Sequence, residues 1–205
     1  REAADFFDKA RATAEGYPVG VSEYGRGGSI RQHADPLYAD EYDFPGKYHP
    51  EEYQAACHEG YWAAFKNRPW LWTKTIWQFS DMQSSIKDEG DTPGVNDKGM
   101  VTYDRQTKKD VFYFYKANWT SAPMLHLCSK RFTVRTHAVT DVKAYTNLDN
   151  ATLYVNGKKI GKAAADDIRR VVWKGVELNP GDNTIRITAR KGGKTLEDTC
   201  VWRVE

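Results

Sequence analysis

The run WLWTKTIWQF at residues 70–79 decides the fold class of this chain. Its β-branched and aromatic residues, which lack helical periodicity, predict a β-strand. The run VGVS at residues 19–22 predicts a second, buried strand. Amphipathic patterns at residues 3–14, 50–64 and 108–118 predict helices before, between and after the two strands. The order helix, strand, helix, strand, helix is typical of parallel strands linked by crossover helices.

Residues 1–121 are therefore expected to form an incomplete α/β unit. Two parallel strands cannot cover both of their own faces, and all-parallel sheets are almost always covered on both. The loop after each predicted strand is much longer than the about two to six residues typical of such units. Long loops at the carboxyl ends of parallel strands are where α/β domains place their sites, so candidate residues are sought at that end.

Glu23 is the first candidate for a catalytic carboxylate, because it stands at the carboxyl end of the first predicted strand. Asp81 occupies the corresponding end of the second strand, with Trp77 and Phe79 on its inward face. An aromatic ring on that face could stack on a sugar ring. Position alone leaves a structural alternative open, with Glu23 as a polar strand terminus and Trp77 as a core residue.

Residues 122–205 have a different character, and the boundary is predicted near Ala122-Pro123. Of the 27 Phe, Trp and Tyr residues, 22 precede Ser121, and the remainder of the chain consists of six or seven short β-rich runs. Asn156-Gly157 between two such runs is a strong hairpin signal, and Gly192-Gly193 supplies another turn. This spacing of strands and turns predicts an immunoglobulin-like β-sandwich.

Composition argues against several classes of function. The 30 Lys and Arg residues barely exceed the 28 Asp and Glu residues, so nucleic-acid binding is not expected. No apolar run approaches the roughly 18 residues that a membrane-spanning helix needs. The acid-rich residues 88–99 do not fit an EF-hand, and no histidine pair has zinc-site spacing, so neither a metal nor a cofactor is expected. Cys128 and Cys200 could pair in an oxidising compartment, which the sequence leaves open.

Five motifs, in this order, closely resemble the carboxyl-terminal part of glycoside hydrolase family 2 β-galactosidases. They are VSEYG at residues 21–25, LWTKTIWQFSD at 71–81, GDTPGVNDKGMVTYDR at 90–105, KKDVFYFYKANW at 108–119 and LYVNGK at 153–158. The resemblance covers nearly the whole chain. It implies an α/β part that is the last quarter of a (β/α)8 barrel, followed by an all-β, immunoglobulin-like sandwich.

The resemblance also implies roles for individual residues. Glu23 matches the nucleophile of a retaining glycosidase, in which two carboxyl groups roughly 5 Å apart share the chemistry. Trp77 matches the aromatic floor of the sugar subsite, Asn96 and Lys98 lie where family members contact polar groups of the substrate, and His33 is a weaker substrate-binding candidate. The family's acid/base residue follows an Asn on the fourth strand, and this chain contains no Asn-Glu dipeptide. The acid/base and the first six strands are therefore expected to belong to a missing amino-terminal part, without which the chain is expected to be inactive.

The resemblance favours a neutral β-galactoside as substrate and suggests a periplasmic or secreted enzyme. A β-glucuronide or galacturonide is the alternative, because the ammonium of Lys98 beside the amide of Asn96 suits a sugar carboxylate. A third hypothesis is that the chain is a non-catalytic carbohydrate-binding or interaction module, with the sandwich as the binding domain. Carbohydrate binding by a sandwich usually needs an exposed aromatic platform. The candidates are Tyr145, Tyr154, Trp173 and Trp202, of which about three in four are expected in the core.

Overall fold

The first part of the chain contains the predicted alternation of helices and parallel strands. The computed structural model describes residues 2–35 and 46–205, with side chains from residue 5 onward. Strands β1 and β2 pair in parallel, as the sequence predicted. The elements are α1 (Glu2–Thr13), β1 (Val19–Tyr24), α2 (Glu51–Lys66), β2 (Leu71–Ile76), β3 (Met82–Gln83), β4 (Val95–Asn96) and α3 (Asp110–Trp119).

The β1–β2 pair is covered on one face only. Tyr24 of β1 and Leu71 of β2 are buried in a cluster with Phe65 of α2 and Phe114 of α3. The rings of Tyr24 and Phe65 meet edge to face, with centroids 4.7 Å apart. On the opposite face of β2 the side chain of Trp72 is 70% exposed. Because strands of a parallel sheet are normally buried on both faces, this open face supports the prediction that the pair belongs to a larger sheet.

The second part is a two-layer β-sandwich with its own core. One sheet has the strand order β10-β7-β5 and the other β6-β12-β11-β8-β9, and the side chains between them form a single apolar cluster. The predicted hairpin joins β8 to β9 through Asn156 and Gly157, whose φ values of 51° and 79° suit a type I′ turn. The strands are β5 (Leu125–Leu127), β6 (Val134–Arg135), β7 (Val139–Thr146), β8 (Asn150–Val155), β9 (Lys158–Ala164), β10 (Arg170–Glu177), β11 (Gly181–Lys191) and β12 (Lys194–Val204).

Buried charges join the sandwich to the amino-terminal ends of α2 and α3. Arg131 donates to the Glu51 carboxylate, with Nε 2.8 Å from Oε2. Glu51 in turn accepts from the backbone N–H of Asp110, and Asp110 accepts from the backbone N–H of Ser129 and lies 2.8 Å from His126 Nε2. Burial, reinforced by the charge of Asp110, raises the pKa of Glu51, and Arg131 opposes that rise. Carboxylates at helix amino termini interact favourably with the helix dipoles, which offsets part of the cost of burying Glu51 and Asp110.

The three cysteines are free thiols. Cys128 packs in the helix-side cluster, whereas Cys200 packs against the sandwich core. The two residues therefore do not form the disulfide that the sequence left open. Within residues 2–35 and 46–205, no helix is long and apolar enough to cross a membrane.

Candidate active site

Glu23 lies at the carboxyl end of β1, on its open face. The adjacent Tyr24 is 8% exposed and is buried against the helices, whereas Glu23 is exposed. The register of β1 against β2 is irregular between Val21 and Tyr24, so that both of these side chains pack on the helix side while the intervening Glu23 is exposed. This is the placement that the sequence predicted for a carboxylate at the site end of the strand.

Trp77 is held next to the end of β1. Its backbone N–H donates to the Tyr24 carbonyl across 2.7 Å. The backbone of Gly25 lies against that of Trp77, and a Cβ atom at position 25 would be 1.8 Å from the Trp77 carbonyl oxygen. Only glycine, which has no Cβ atom, fits at this position. The Trp77 side chain is 38% exposed. The end of β1, which carries Glu23, is therefore joined through backbone contacts to the segment after β2, which carries the partly exposed indole of Trp77.

The second strand is shorter than predicted, and the expected position of Asp81 was wrong. Strand β2 ends at Ile76, because the backbone beyond it bonds to the following loop, with the Gln78 N–H 3.1 Å from the Lys98 carbonyl. Asp81 lies within that loop and is buried. Its Oδ1 accepts from Lys109 Nζ and from the Gly99 N–H, each at 2.8 Å. Burial raises the pKa of Asp81 despite the nearby Lys109 ammonium, and both bonds give this carboxylate a structural role.

Asn96 and Lys98 lie on the loop that approaches Trp77. Asn96 ends the short strand β4 and is 7% exposed, and its Oδ1 accepts from the Lys98 N–H at 3.2 Å. The Lys98 carbonyl bonds to Gln78, the residue after Trp77. Among the described residues, no hydrogen bond or ion pair engages the half-buried Lys98 ammonium. Three of the sequence-predicted residues, Trp77, Asn96 and Lys98, are thus brought into neighbouring segments, with a cation available to a ligand.

His33 is engaged by helix α2 and by the sandwich. Its Nδ1 lies 3.0 Å from Glu52 Oε1, and its ring stacks on Phe132 at a centroid distance of 5.2 Å and an angle of 10°. Burial lowers the pKa of His33, but the hydrogen bond and charge of Glu52 outweigh it, so the net pKa is raised. The sequence could not predict this pair, because Glu52 and Phe132 are distant from His33 along the chain.

The His33–Glu52 pair is expected to stabilise the fold most at low pH. A histidine pKa that is raised on folding gives stability that is fully present below the unfolded value and is lost as pH rises through the folded value. His33→Gln should therefore reduce the free energy of urea unfolding more at about pH 5.5 than at about pH 9. His137→Gln, at an exposed histidine, is the matched control. A reduction for His33→Gln that is equal at both pH values would contradict the assignment.

One buried pair beneath the loop was not identified from the sequence. His49 Nδ1 lies 2.7 Å from Asp97 Oδ2, and both side chains are buried. Gly27 and Gly90 pack against this pair so closely that a Cβ atom at either position would lie 2.5 Å from one of its polar atoms. Asp97 stands between Asn96 and Lys98, so the pair supports the loop that carries both candidates. Its only sequence signal is the acid-rich run itself, which gives no indication of a histidine partner.

The structure also brings together three side chains of metal-ligand type that sequence spacing did not reveal. Polar atoms of Asp110, His126 and Cys128 lie within 4.8 Å of one another, and all three residues are buried. The Asp110 carboxylate is already bonded to His126 and to a backbone N–H. Burial raises the pKa of the Cys128 thiol well above its ordinary value, which disfavours the thiolate that a metal requires. The cluster is best explained as part of the interface between the two parts of the chain.

A cavity of about 750 Å³ lies away from Glu23, between α2 and strands β7 and β10. Its charged lining is compensated internally, since Lys143 and Arg170 both bind Glu59 and Lys174 binds Asp141. The Glu23 face is by contrast an open surface, on which Glu23 and Trp72 are exposed.

Known proteins resemble this chain over nearly its whole length. The family described as "Domain of unknown function (DUF4982)" matches residues 137–197. A β-glucuronidase from Bacteroides fragilis is 41% identical over 95% of the chain, which corresponds to 28% of that protein.

Two solved structures have the same fold. An FMN-binding β-glucuronidase from F. prausnitzii is 36% identical, with a TM-score of 0.86 over 98% of the chain and 29% of that protein. A putative β-galactosidase from B. fragilis is 26% identical, with a TM-score of 0.92 over 100% of the chain and 30% of that protein. The chain therefore spans less than a third of the length of these relatives. They bear β-glucuronidase and β-galactosidase names, and the most identical of the three is a β-glucuronidase.

Proposed function

We propose that this chain is the carboxyl-terminal part of a retaining exo-β-glycosidase of glycoside hydrolase family 2. In this proposal residues 1–121 supply the last quarter of a (β/α)8 barrel and residues 122–205 form an immunoglobulin-like domain. The observation that carries it is Glu23, an exposed carboxylate at the carboxyl end of a parallel strand, on a segment joined to that of Trp77. The 41% identity to a β-glucuronidase supports the same conclusion.

The proposed reaction is a double displacement. Glu23 attacks the anomeric carbon while a second carboxyl group, roughly 5 Å away, protonates the departing glycosidic oxygen. The second group then takes a proton from water, the water oxygen bonds to the anomeric carbon, and the bond to Glu23 breaks, so the configuration is retained. The exposed face of Trp77 is the proposed floor on which the sugar stacks. The second carboxyl group comes from sequence outside this chain.

A β-glucuronide is the substrate that the site supports best. Among the described residues the Lys98 ammonium forms no hydrogen bond or close ion pair, although its charge helps to lower the pKa of Glu89, and it follows the amide of Asn96 on the same loop. A cation beside an amide donor is suited to a sugar carboxylate, which accepts charge-assisted hydrogen bonds. This reverses the preference that the sequence resemblance gave to galactosides. A β-galactosidase remains the second candidate, favoured by the TM-score of 0.92 to a putative enzyme of that name.

The aromatic residues of the sandwich do not support a purely carbohydrate-binding function. Tyr145, Trp173 and Trp202 are buried, as predicted for three of the four candidates. Tyr154 is half-buried beneath Arg186, whose guanidinium carbon lies 4.1 Å from its ring centroid. None of the five aromatic residues after Pro123, all within the described part of the chain, is exposed. The surface lacks the aromatic platform that such binding normally uses.

Activity measurements on two proteins test the proposed function. The complete protein should hydrolyse an aryl β-glucuronide faster than an aryl β-galactoside. The isolated chain should hydrolyse neither, because it lacks the acid/base and an enclosed site. Turnover by the isolated chain would contradict the two-carboxylate assignment, and a complete protein inactive on both sugars would contradict the proposed function itself.

A further inference from the structure

Lys109 is a buried lysine that the proposed reaction does not use. It precedes α3 directly and is 1% exposed. Its ammonium donates to three acceptors, which are the Gly28 carbonyl at 2.6 Å, Asp81 Oδ1 at 2.8 Å and the Asp97 carbonyl at 2.9 Å. An ammonium has three donors, so every one of them is satisfied.

The three acceptors belong to the three segments that carry the candidate site. Gly28 lies on the segment that follows Glu23, Asp81 on the segment that follows Trp77, and Asp97 between Asn96 and Lys98. The Gly28 N–H also donates to the Asp97 carbonyl, at 3.1 Å. Lys109 thus sits where the three segments meet, and its charge is balanced by the Asp81 carboxylate.

We propose that Lys109 is a positioning residue that fixes Asn96 and Lys98 relative to Glu23 and Trp77. Resting on the proposed function, this assignment makes Lys109 a determinant of affinity for the substrate's sugar carboxylate, although it touches no substrate. A loop located by buried charge-assisted hydrogen bonds binds with little loss of conformational freedom. Without Lys109 the Asp97 carbonyl keeps the Gly28 N–H and its carboxylate keeps His49, but the bond that ties Asp97 to the Asp81 segment is lost. The loop is then less firmly fixed, and Lys98 loses more conformational freedom at each binding event.

The variants are chosen so that a loss of folding is not mistaken for a displaced loop. Lys109→Met alone leaves Asp81 as an unpaired buried charge, which is strongly destabilising. The test therefore uses the double variant Asp81→Asn/Lys109→Met, which removes both charges with side chains of similar size. Lys108→Met is the matched control, since Lys108 is adjacent but exposed, with its ammonium 5.3 Å from the centroid of the Phe112 ring. Thermal unfolding verifies that each variant is folded.

Two readouts test the assignment independently. In the complete enzyme, the double variant should raise KM for an aryl β-glucuronide about tenfold or more with kcat changed about threefold or less, because ground-state binding is lost. In the isolated chain, backbone hydrogen exchange at residues 95–99 should accelerate about tenfold or more relative to Lys108→Met. A folded double variant with the KM and exchange rates of the control would overturn the proposal. If the unmodified enzyme hydrolyses neither sugar, the proposed function fails, and the exchange rates alone then decide whether Lys109 orders the loop.

Discussion

Glu23→Gln is expected to lower kcat of the complete enzyme on an aryl β-glucuronide by about 10⁴-fold or more. Glutamine has nearly the same shape as glutamate, but its neutral amide is a poor nucleophile toward the anomeric carbon. Because the Glu23 side chain is exposed on the open face of β1, the change should leave the isolated chain's thermal unfolding almost unaltered. Loss of turnover without loss of stability is the expected combination for a catalytic group.

Glu177→Gln is the matched control for this prediction. Glu177 is an exposed glutamate on β10 of the sandwich, and its replacement should change kcat by about twofold or less. A Glu23→Gln enzyme with kcat within about tenfold of the unmodified protein would show that another residue is the nucleophile.

Lys98→Met is expected to lower kcat/KM for the aryl β-glucuronide by about 10- to 150-fold, the equivalent of about 1.5–3 kcal/mol for a lost hydrogen bond to a charged group. Methionine keeps most of the side-chain length and removes the charge. A neutral aryl β-galactoside has no carboxylate for Lys98 to bind, so its kcat/KM should change far less. The ratio of the two kcat/KM values is therefore the quantity to measure.

Lys108→Met controls for the loss of one positive charge from this region, since Lys108 is exposed and outside the loop. It should leave the ratio unchanged. Equal losses for both sugars in Lys98→Met would assign Lys98 a general structural role and would remove the main argument for a glucuronide.

The parts of the fold that could be predicted from the sequence are those fixed by local pattern. The period of apolar residues located α1, α2 and α3 to within a few residues, and Pro50 stands at the start of α2 as expected. Asn156-Gly157 forms the predicted hairpin because both residues tolerate the positive φ that the turn requires. The position of Glu23 at the end of β1 followed from the same local reasoning.

The remaining features depend on contacts between distant segments. Residues 77–79 have the composition of a strand, yet β2 ends at Ile76 because their backbone bonds to the loop around Lys98. Strand β5, with the sequence Leu-His-Leu, is too short to show any period, and it brings the sandwich to eight strands, where six or seven were predicted. The network around Lys109 unites segments far apart in sequence, so no local pattern could indicate it.

The most direct test of the central claim is covalent labelling of the complete enzyme with a mechanism-based, β-glucuronide-shaped aziridine. Such a compound traps the nucleophile of a retaining enzyme as a stable ester, and digestion followed by mass spectrometry identifies the labelled peptide. The account predicts one label per protein, on the peptide that contains Glu23, and no label in Glu23→Gln. A label on any other carboxylate, or equal labelling of Glu23→Gln, would contradict it.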